Sequence, residues 1–519
     1  MVRLCSAIES EGSGHPSATE SSAKTMKIEL DDASLFGNDA GEDEDESVLM
    51  SYFVDQPAFT DFLNPTRRLW IANGRKGTGK SALLVRFAHQ LRTTQGEPKP
   101  IVLHLVPSNM VALREPPQTE NHTLLENYWK QVICGAINME LARDIGFAWT
   151  DNQMALVESA EVAGFSGRNL VSALLTRLAG KLNLGGVLEV APTPRPTANH
   201  EQLLNRIGRE DGLRRPVWFL LDDIDAKFQN SPTQQAFISA FFSACRNLVK
   251  ETSGIGIRAT VRTDVWASLT FAEDMDKVEQ YRTEIVWSAS QQKTILANRI
   301  LAYIRRRDPD SEIARTWNNK DHANALIESA FVARMKWGSA TAPADHVLRV
   351  LAGGRPRWIA QLCRMAGVNA VRDKKERIGV HHITQAMGEF GRRRLADLYK
   401  EHHYQFADLR RLVESFSAGP RRYTTDELMH RLNEHYVRRT GAENIPPVDG
   451  VAYRDSLQIA RFLFKCGFVN GNNAGKTSLA VPEFVTYDAR PDLLQADTNL
   501  DDGMTWELQP AYRNILQAT

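Results

Sequence analysis

Residues 68–91 read RLWIANGRKGTGKSALLVRFAHQL, and this stretch decides the fold. RLWIAN is an apolar run of strand length, and ALLVRFAHQL carries the spacing of a helix. Between them, Gly74-Arg75-Lys76-Gly77-Thr78-Gly79-Lys80-Ser81 matches GxxxxGK[ST] in full. Glycines in such a loop let backbone N–H groups turn inward and form a concave nest for phosphate oxygens. The helix that starts at Lys80 adds its N-terminal partial charge to the same anion. Lys80 is spaced to reach the β- and γ-phosphates, and the Ser81 hydroxyl to take a Mg²⁺ coordination position. The expected nucleotide contacts are Gly74, Arg75, Lys76, Gly77, Thr78, Gly79, Lys80, Ser81 and Ala82.

Further along, PIVLHLVP (100–107), PVWFLLDDID (216–225), GIGIRATVRTD (254–264) and RTEIVW (282–287) read as strands, with helical segments such as TQQAFISAFFSACRNLVKE (233–251) between them. Strands alternating with helices predict an α/β fold with a parallel sheet of about five strands. The run FLLDDID is the profile of a central strand buried on both faces and ending in carboxylates. Ligands of open α/β sheets bind at that edge. Asp222 is therefore expected to hold Mg²⁺ through water, and Asp223 to polarise the attacking water. Asp225 could take the second role instead, and the residues alone do not decide. Arg262, at the end of the next strand, is placed to stabilise the γ-phosphate. In Gly353-Gly-Arg355-Pro-Arg357-Trp358, a glycine-proline turn opens a helix and aims Arg357 back across a cleft toward nucleotide.

The chain has 519 residues, too many for one ordinary core, and 42% are hydrophobic, enough for several. Residues 1–27, rich in Ser, Gly, Thr and Glu, read as a disordered leader. Residues 28–288 form the expected phosphate-binding domain, with a helical insertion at about 115–205. Residues 289–403 lose the strand pattern and read as a helical lid. Residues 404–519 read as a winged helix, from helices followed by a turn-rich NGNNAGKTS and short apolar runs. That turn, Gly471 to Thr477, is one residue short of phosphate-loop spacing and is read as a hairpin loop. Lys and Arg number 63 and so do Asp and Glu, so no global charge argues for nucleic acid or membrane partners. Five scattered cysteines form no CxxC pair, which argues for reduced thiols in a cytoplasmic protein and against zinc. The N-terminus has no apolar signal core, and no run of about 18 apolar residues spans a membrane.

GRKGTGKS, FLLDDID, TVRTD and GGRPRWIAQL together resemble the additional-strand P-loop ATPases, specifically the STAND and AAA-like group, over residues 48–400. The resemblance implies a paired-acid Walker B at Asp222 and Asp223, a sensor arginine at Arg262 and a lid turn at GGRPRW. The closing WELQPAYRNIL after a winged helix resembles bacterial P-loop ATPases of anti-phage defence loci. Asp223 stands where many AAA+ motors carry Glu, which implies slow hydrolysis. No NKxD or LSGGQ motif occurs, which favours adenine by elimination and sets the ABC group aside.

The expected function is an ATP- and Mg²⁺-dependent switch that passes domain reorientation to a protein effector or to self-assembly. The alternative is a DNA-binding ATPase resembling origin-recognition and loader proteins. Residues 355–465 hold 21 Lys and Arg against 13 Asp and Glu, a local surplus suited to double-stranded DNA. A third reading is a nucleotide-gated scaffold that does not hydrolyse.

Overall fold

The computed structural model describes residues 28–38, 43–96, 98–105, 117–145, 200–206, 215–226, 228, 231–269, 272, 274–337, 340–473, 484–495 and 500–518. The expected leader, most of the expected insertion and most of the turn at 471–477 lie outside the described residues.

The first half builds α1 (Glu46–Tyr52), β1 (Leu69–Asn73), α2 (Lys80–Thr93), β2 (Ile101–Leu105), α3 (His122–Ile145), β3 (Val217–Leu221), α4 (Pro232–Glu251), β4 (Ile255–Val261) and β5 (Arg282–Glu284). The five strands form one parallel sheet in the order β2-β3-β4-β1-β5. Strand β4 thus lies between the strand that feeds the glycine loop and the strand that ends in Asp222.

The continuous apolar runs follow from burial on both faces. Leu69, Ile71, Val217, Phe219, Leu221, Ile255, Ile257, Ala259 and Val261 face a core shared with α3 and α4. Trp70, Ala72, Trp218 and Leu220 face the opposite core, shared with Leu83, Leu84 and Phe87 of α2. Each of the Val, Leu, Ile and Phe side chains contributes roughly 1.5–3 kcal/mol on burial. On that second face β4 offers Gly256, Arg258 and Thr260 instead. A Cβ at Gly256 would meet the Trp218 ring within 2.4 Å, so glycine is required there. Arg258 is fully buried, and among the described residues no carboxylate pairs with it. It lies 4.5 Å from the centre of the Phe87 ring and 4.7 Å from that of Trp218. Its guanidinium donates to the carbonyls of Phe62 (2.6 Å) and Asn64 (2.9 Å), fixing the segment that precedes β1.

The second half is mainly helical: α5 (Ala289–Arg307), α6 (Pro356–Arg372) and α7 (Val380–His402) pack around one core. A capping box between Ser288 and Gln291 starts α5, and Pro356 opens α6 at a position where its missing N–H costs nothing. The sequence pattern predicts that strands end after Trp287, but the structure keeps some there. An antiparallel hairpin, β6 (Arg334–Trp337) and β7 (Ala340–Pro343), lies among the helices. Arg334-Met335-Lys336-Trp337 does alternate polar and apolar, but over the shortest run that can carry the signal, and Ala340–Pro343 does not.

The last region adds β8 (Arg422–Tyr423), α8 (Thr425–Leu432), α9 (Ser456–Lys465), β9 (Val469–Asn472), β10 (Phe484–Val485), β11 (Thr505–Leu508) and α10 (Pro510–Leu516). Its strands form an antiparallel sheet in the order β10-β9-β11-β8. The apolar core of α5–α7 continues without a break into this region, through Phe406, Phe416, Leu463, Phe468 and Tyr512. Among the described residues, no helix is long and apolar enough to cross a membrane.

Candidate nucleotide site

The loop Gly74–Gly79 leaves the C-terminal end of β1 and enters α2 at Lys80. Gly77 and Gly79 hold φ of +80° and +106°, a region closed to most L-residues, and this lets the loop curl around its own centre. The loop is locked from inside and outside. The Thr78 hydroxyl donates to the Arg75 carbonyl at 2.8 Å, and the Trp287 indole donates to the Thr78 carbonyl at 2.7 Å. Lys80 is buried, its Nζ 3.3 Å from the Gly74 carbonyl and 3.7 Å from Asp223 Oδ1.

The acidic turn after β3 gives its three carboxylates different surroundings. Asp222 is buried and accepts from the Thr260 hydroxyl at 2.5 Å. Burial and the charge of Asp223 raise its pKa, while hydrogen bonds from Ser81 and Thr260 oppose the rise. The same Thr260 hydroxyl accepts the Asp223 N–H at 2.9 Å, so one residue of β4 orders both acids. Asp223 adopts φ +48° and leaves half its side chain, 51%, exposed toward Lys80. Asp225 is only 1% exposed and grips Arg262, whose Nε donates at 2.7 Å and whose backbone N–H donates at 3.2 Å. Its other oxygen, Oδ1, has no hydrogen-bond partner among the described residues.

Arg262 is held on two further sides. It donates to the Tyr404 hydroxyl, and Tyr404 in turn donates to Asp264 at 3.1 Å. Burial disfavours the Arg262 charge, but Asp264 and Asp225 outweigh it and keep the guanidinium protonated.

These groups open onto a cavity of about 400 Å³. Its floor is Gly77–Ala82, and its charged side is Asp223, Asp225 and Arg262. Its apolar wall is Tyr52, Phe53, Phe59, Trp287 and Ile295, with Arg299 at the edge. Pro356, Arg357, Lys400 and Glu401 face it from α6 and α7. The Arg357 N–H donates to the Gly77 carbonyl at 3.2 Å, so α6 begins on the loop itself.

A five-stranded parallel sheet ordered 2-3-4-1-5, with a glycine loop after β1 and paired acids after β3, decides the architecture. It is the P-loop nucleoside triphosphatase fold. No protein-family description and no curated protein matches the chain. Among solved structures, the ORC2 protein of Aeropyrum pernix, in ADPNP–ADP complexes, is similar at 12% identity and TM-score 0.36, over 91% of this chain and 92% of that one. Cdc6p of Pyrobaculum aerophilum is similar at 12% identity and TM-score 0.32, over 91% and 97%. The Aeropyrum pernix ORC1 protein, in complex with DNA, is similar at 14% identity and TM-score 0.32, over 91% and 96%. Overlap this loose transfers no residue role.

Within the P-loop fold, Lys76, Gly77, Thr78, Gly79, Lys80, Ser81, Ala82, Asp223, Asp225, Arg262 and Arg357 line the cavity. Gly74 and Asp222 lie just behind it, and Arg75 does not line it. The Arg75 guanidinium pairs with Asp488, and Lys76 Nζ lies 3.5 Å from Asp397 and 3.9 Å from Glu401. Sequence reasoning missed Thr260, Tyr404 and Trp287, together with the wall formed by Tyr52, Phe53 and Phe59. The wall had a signal, the aromatic spacing in SYFVDQPAF just before β1.

Proposed function

We propose that this chain is an ATPase switch of the STAND type, acting in the cytoplasm, in which ATP bound between the sheet and α6–α7 fixes their relative orientation. The observation that supports it is the two-sided cavity: one wall belongs to the sheet, the other to Pro356, Arg357, Lys400 and Glu401. A ligand that touches both walls favours one arrangement of them over others.

The N–H groups of Gly77, Gly79, Lys80 and Ser81 and the Lys80 ammonium would bind the β- and γ-phosphates. The apolar wall of Tyr52, Phe53 and Phe59 suits a base, and excludes water from one side of it. Asp223, exposed beside Lys80, is the group suited to orient and polarise a water. Asp225 already spends its charge on Arg262, so we assign it the role of positioning that guanidinium. Arg262 would reach the γ-phosphate only by exchanging one of its present partners. The residues fit Mg²⁺: a buried carboxylate on Asp222, raised in pKa and hydrogen-bonded to Ser81, is a hard oxygen pair that a divalent cation would relieve. When bound, Mg²⁺ neutralises phosphate charge; Ser81 and Asp222 would hold it. The expected consequence of an Asp in place of Glu at 223 is slow turnover, and the reoriented helices would act on a protein effector or a second copy, as in anti-phage defence.

ATP hydrolysis by wild type, Lys80→Ala and Asp223→Asn tests the reading. Turnover lost in both variants, with Asp223→Asn still binding ATP, is the expected result. Tight binding without any wild-type turnover would mean a nucleotide-gated scaffold, and hundreds of turnovers per second without a partner would contradict a switch.

One cluster favours a second reading, double-stranded DNA held by the last region as a winged helix. Arg410, Arg411, Arg438 and Arg439 are exposed, and Arg411 reaches the Arg439 carbonyl at 3.4 Å, so two runs far apart in sequence share one surface. The GRRR run contributes less: Arg394 is buried, and Arg392 and Arg393 both pair with Glu389. DNA affinity that falls steeply with salt, and falls further in Arg411→Ala with Arg439→Ala, would support this reading. Salt-insensitive or absent binding would remove it.

A further inference from the structure

The phosphate loop makes its firmest side-chain contact with a residue 413 positions away. Arg75 Nη2 donates to Asp488 Oδ1 at 2.9 Å, and Nε lies 2.5 Å from Oδ2, a bidentate fork. The same Nη2 reaches the Lys465 carbonyl at 3.2 Å, at the end of α9. Residue 467 packs tightly against this approach. Gly467 has φ +74°, and a Cβ there would stand 3.0 Å from Arg75 Nη1.

Both ends of the fork are anchored. Arg75 is tied into the loop, because its carbonyl accepts the Thr78 N–H at 3.2 Å and the Thr78 hydroxyl at 2.8 Å. Asp488 follows β10 by three residues, and β10 pairs with β9 through Phe484–Asn472 and Val485–Gly471. The ion pair is four-fifths buried on the arginine side and nearly so on the aspartate side, so solvent screens it less than a surface pair. The neighbouring Lys76 contacts, at 3.5 and 3.9 Å and more exposed, are looser.

We propose that Asp488 is a positioning residue for the phosphate loop: by holding Arg75 it makes the loop and the C-terminal sheet respond to nucleotide as one unit. The proposal rests on the nucleotide-binding reading above. A preorganised loop binds more tightly than one that must be ordered on arrival of the ligand. Coupling is reciprocal, so what Asp488 does for nucleotide affinity, nucleotide does for the order of the sheet.

Hydrogen exchange of the full chain with and without Mg-ATP, alongside ATP titration, tests this in wild type, Asp488→Asn, Arg75→Gln, the double variant and Asp488→Glu. In wild type, ATP slows exchange at 469–472 and 505–508, strands that lie outside the cavity. Asp488→Asn and Arg75→Gln each abolish that slowing and weaken ATP on the order of tenfold, and the double variant is no weaker than either single. Asp488→Glu, which keeps the charge, restores part of both. The proposal is overturned if ATP still slows exchange there in Asp488→Asn, or if the two single losses multiply in the double variant. Should Asp488→Asn fail to fold, Arg75→Gln carries the same test from the loop side. A wild-type chain that binds no ATP overturns the nucleotide reading and this inference together. Binding of ATP with no change at the C-terminal strands overturns this inference alone.

Discussion

The two halves of the phosphate loop behave differently. Gly77–Ser81 and the Lys80 ammonium form the floor of the cavity, whereas Arg75 turns its side chain away from it to Asp488, and Lys76, at its rim, turns to Asp397 and Glu401. The first half needs glycine conformations and one lysine, and in the proposed function it serves the ligand. The second half occupies positions at which the phosphate-loop pattern leaves the residue free, and it serves the rest of the molecule. On the proposed reading, a loop built this way would recognise a phosphate by backbone geometry while its spare side chains pass that event to the C-terminal sheet.

The sharpest way to break this comparison is at the ligand-facing edge. Asp223→Asn is expected to lower turnover by about a thousandfold, within the usual range for a lost general base, while ATP affinity stays within about threefold. Single-turnover kinetics and a binding titration read the two quantities separately. Next in size is Asp225→Asn, which removes the charge that Arg262 grips from a nearly fully buried position. The expected cost is about 3 kcal/mol of stability, measured by denaturant unfolding without nucleotide. A loss below about 1 kcal/mol would mean that Asp264 and Tyr404 hold Arg262 on their own.

Gly77→Ala tests the loop conformation. A Cβ there meets Arg357 Cβ at 3.0 Å with φ +80°, so a destabilisation of about 2 kcal/mol is expected, together with weaker ATP binding. Smallest of all is Lys76→Ala. Its pairs are long and partly exposed, so stability should change by less than about 1 kcal/mol and ATP affinity by less than about threefold. A large affinity loss there would place Lys76 among the ligand-binding groups and blur the division between the two halves.

How much of this could be read beforehand depended on distance along the chain. GRKGTGKS, the strand FLLDDID and the five-strand sheet were legible because each signal is local: glycine spacing, an apolar run, a carboxylate at its end. The partners of Arg75 and Lys76 lie 413 and 321 residues away, and no local pattern announces them. The proposed choice of Asp223 over Asp225 rests on the position of Arg262, which the pairing of β3 with β4 supplies. The role of Thr260 was hidden the same way, as an ordinary β-branched residue in a strand. Strands β8 and β10, two residues each, are too short for any alternation, and the C-terminal sheet holds buried Asn470, Asn472 and Glu507 where a strand pattern leads one to expect apolar side chains. Their hydrogen bonds explain the exception: Asn470 donates to Gln509 at 3.0 Å, and Arg422 donates to Glu507 at 3.2 Å.

The central claim is that the cavity above Lys80 takes Mg-ATP. Calorimetric titration of Mg-ATP into wild type and Lys80→Ala tests it most directly. The expected result is one site per chain in wild type and an affinity at least about a hundredfold weaker in the variant, the loss typical of a buried charge partner to an anion. Equal binding by both proteins, or none by either, would contradict the account.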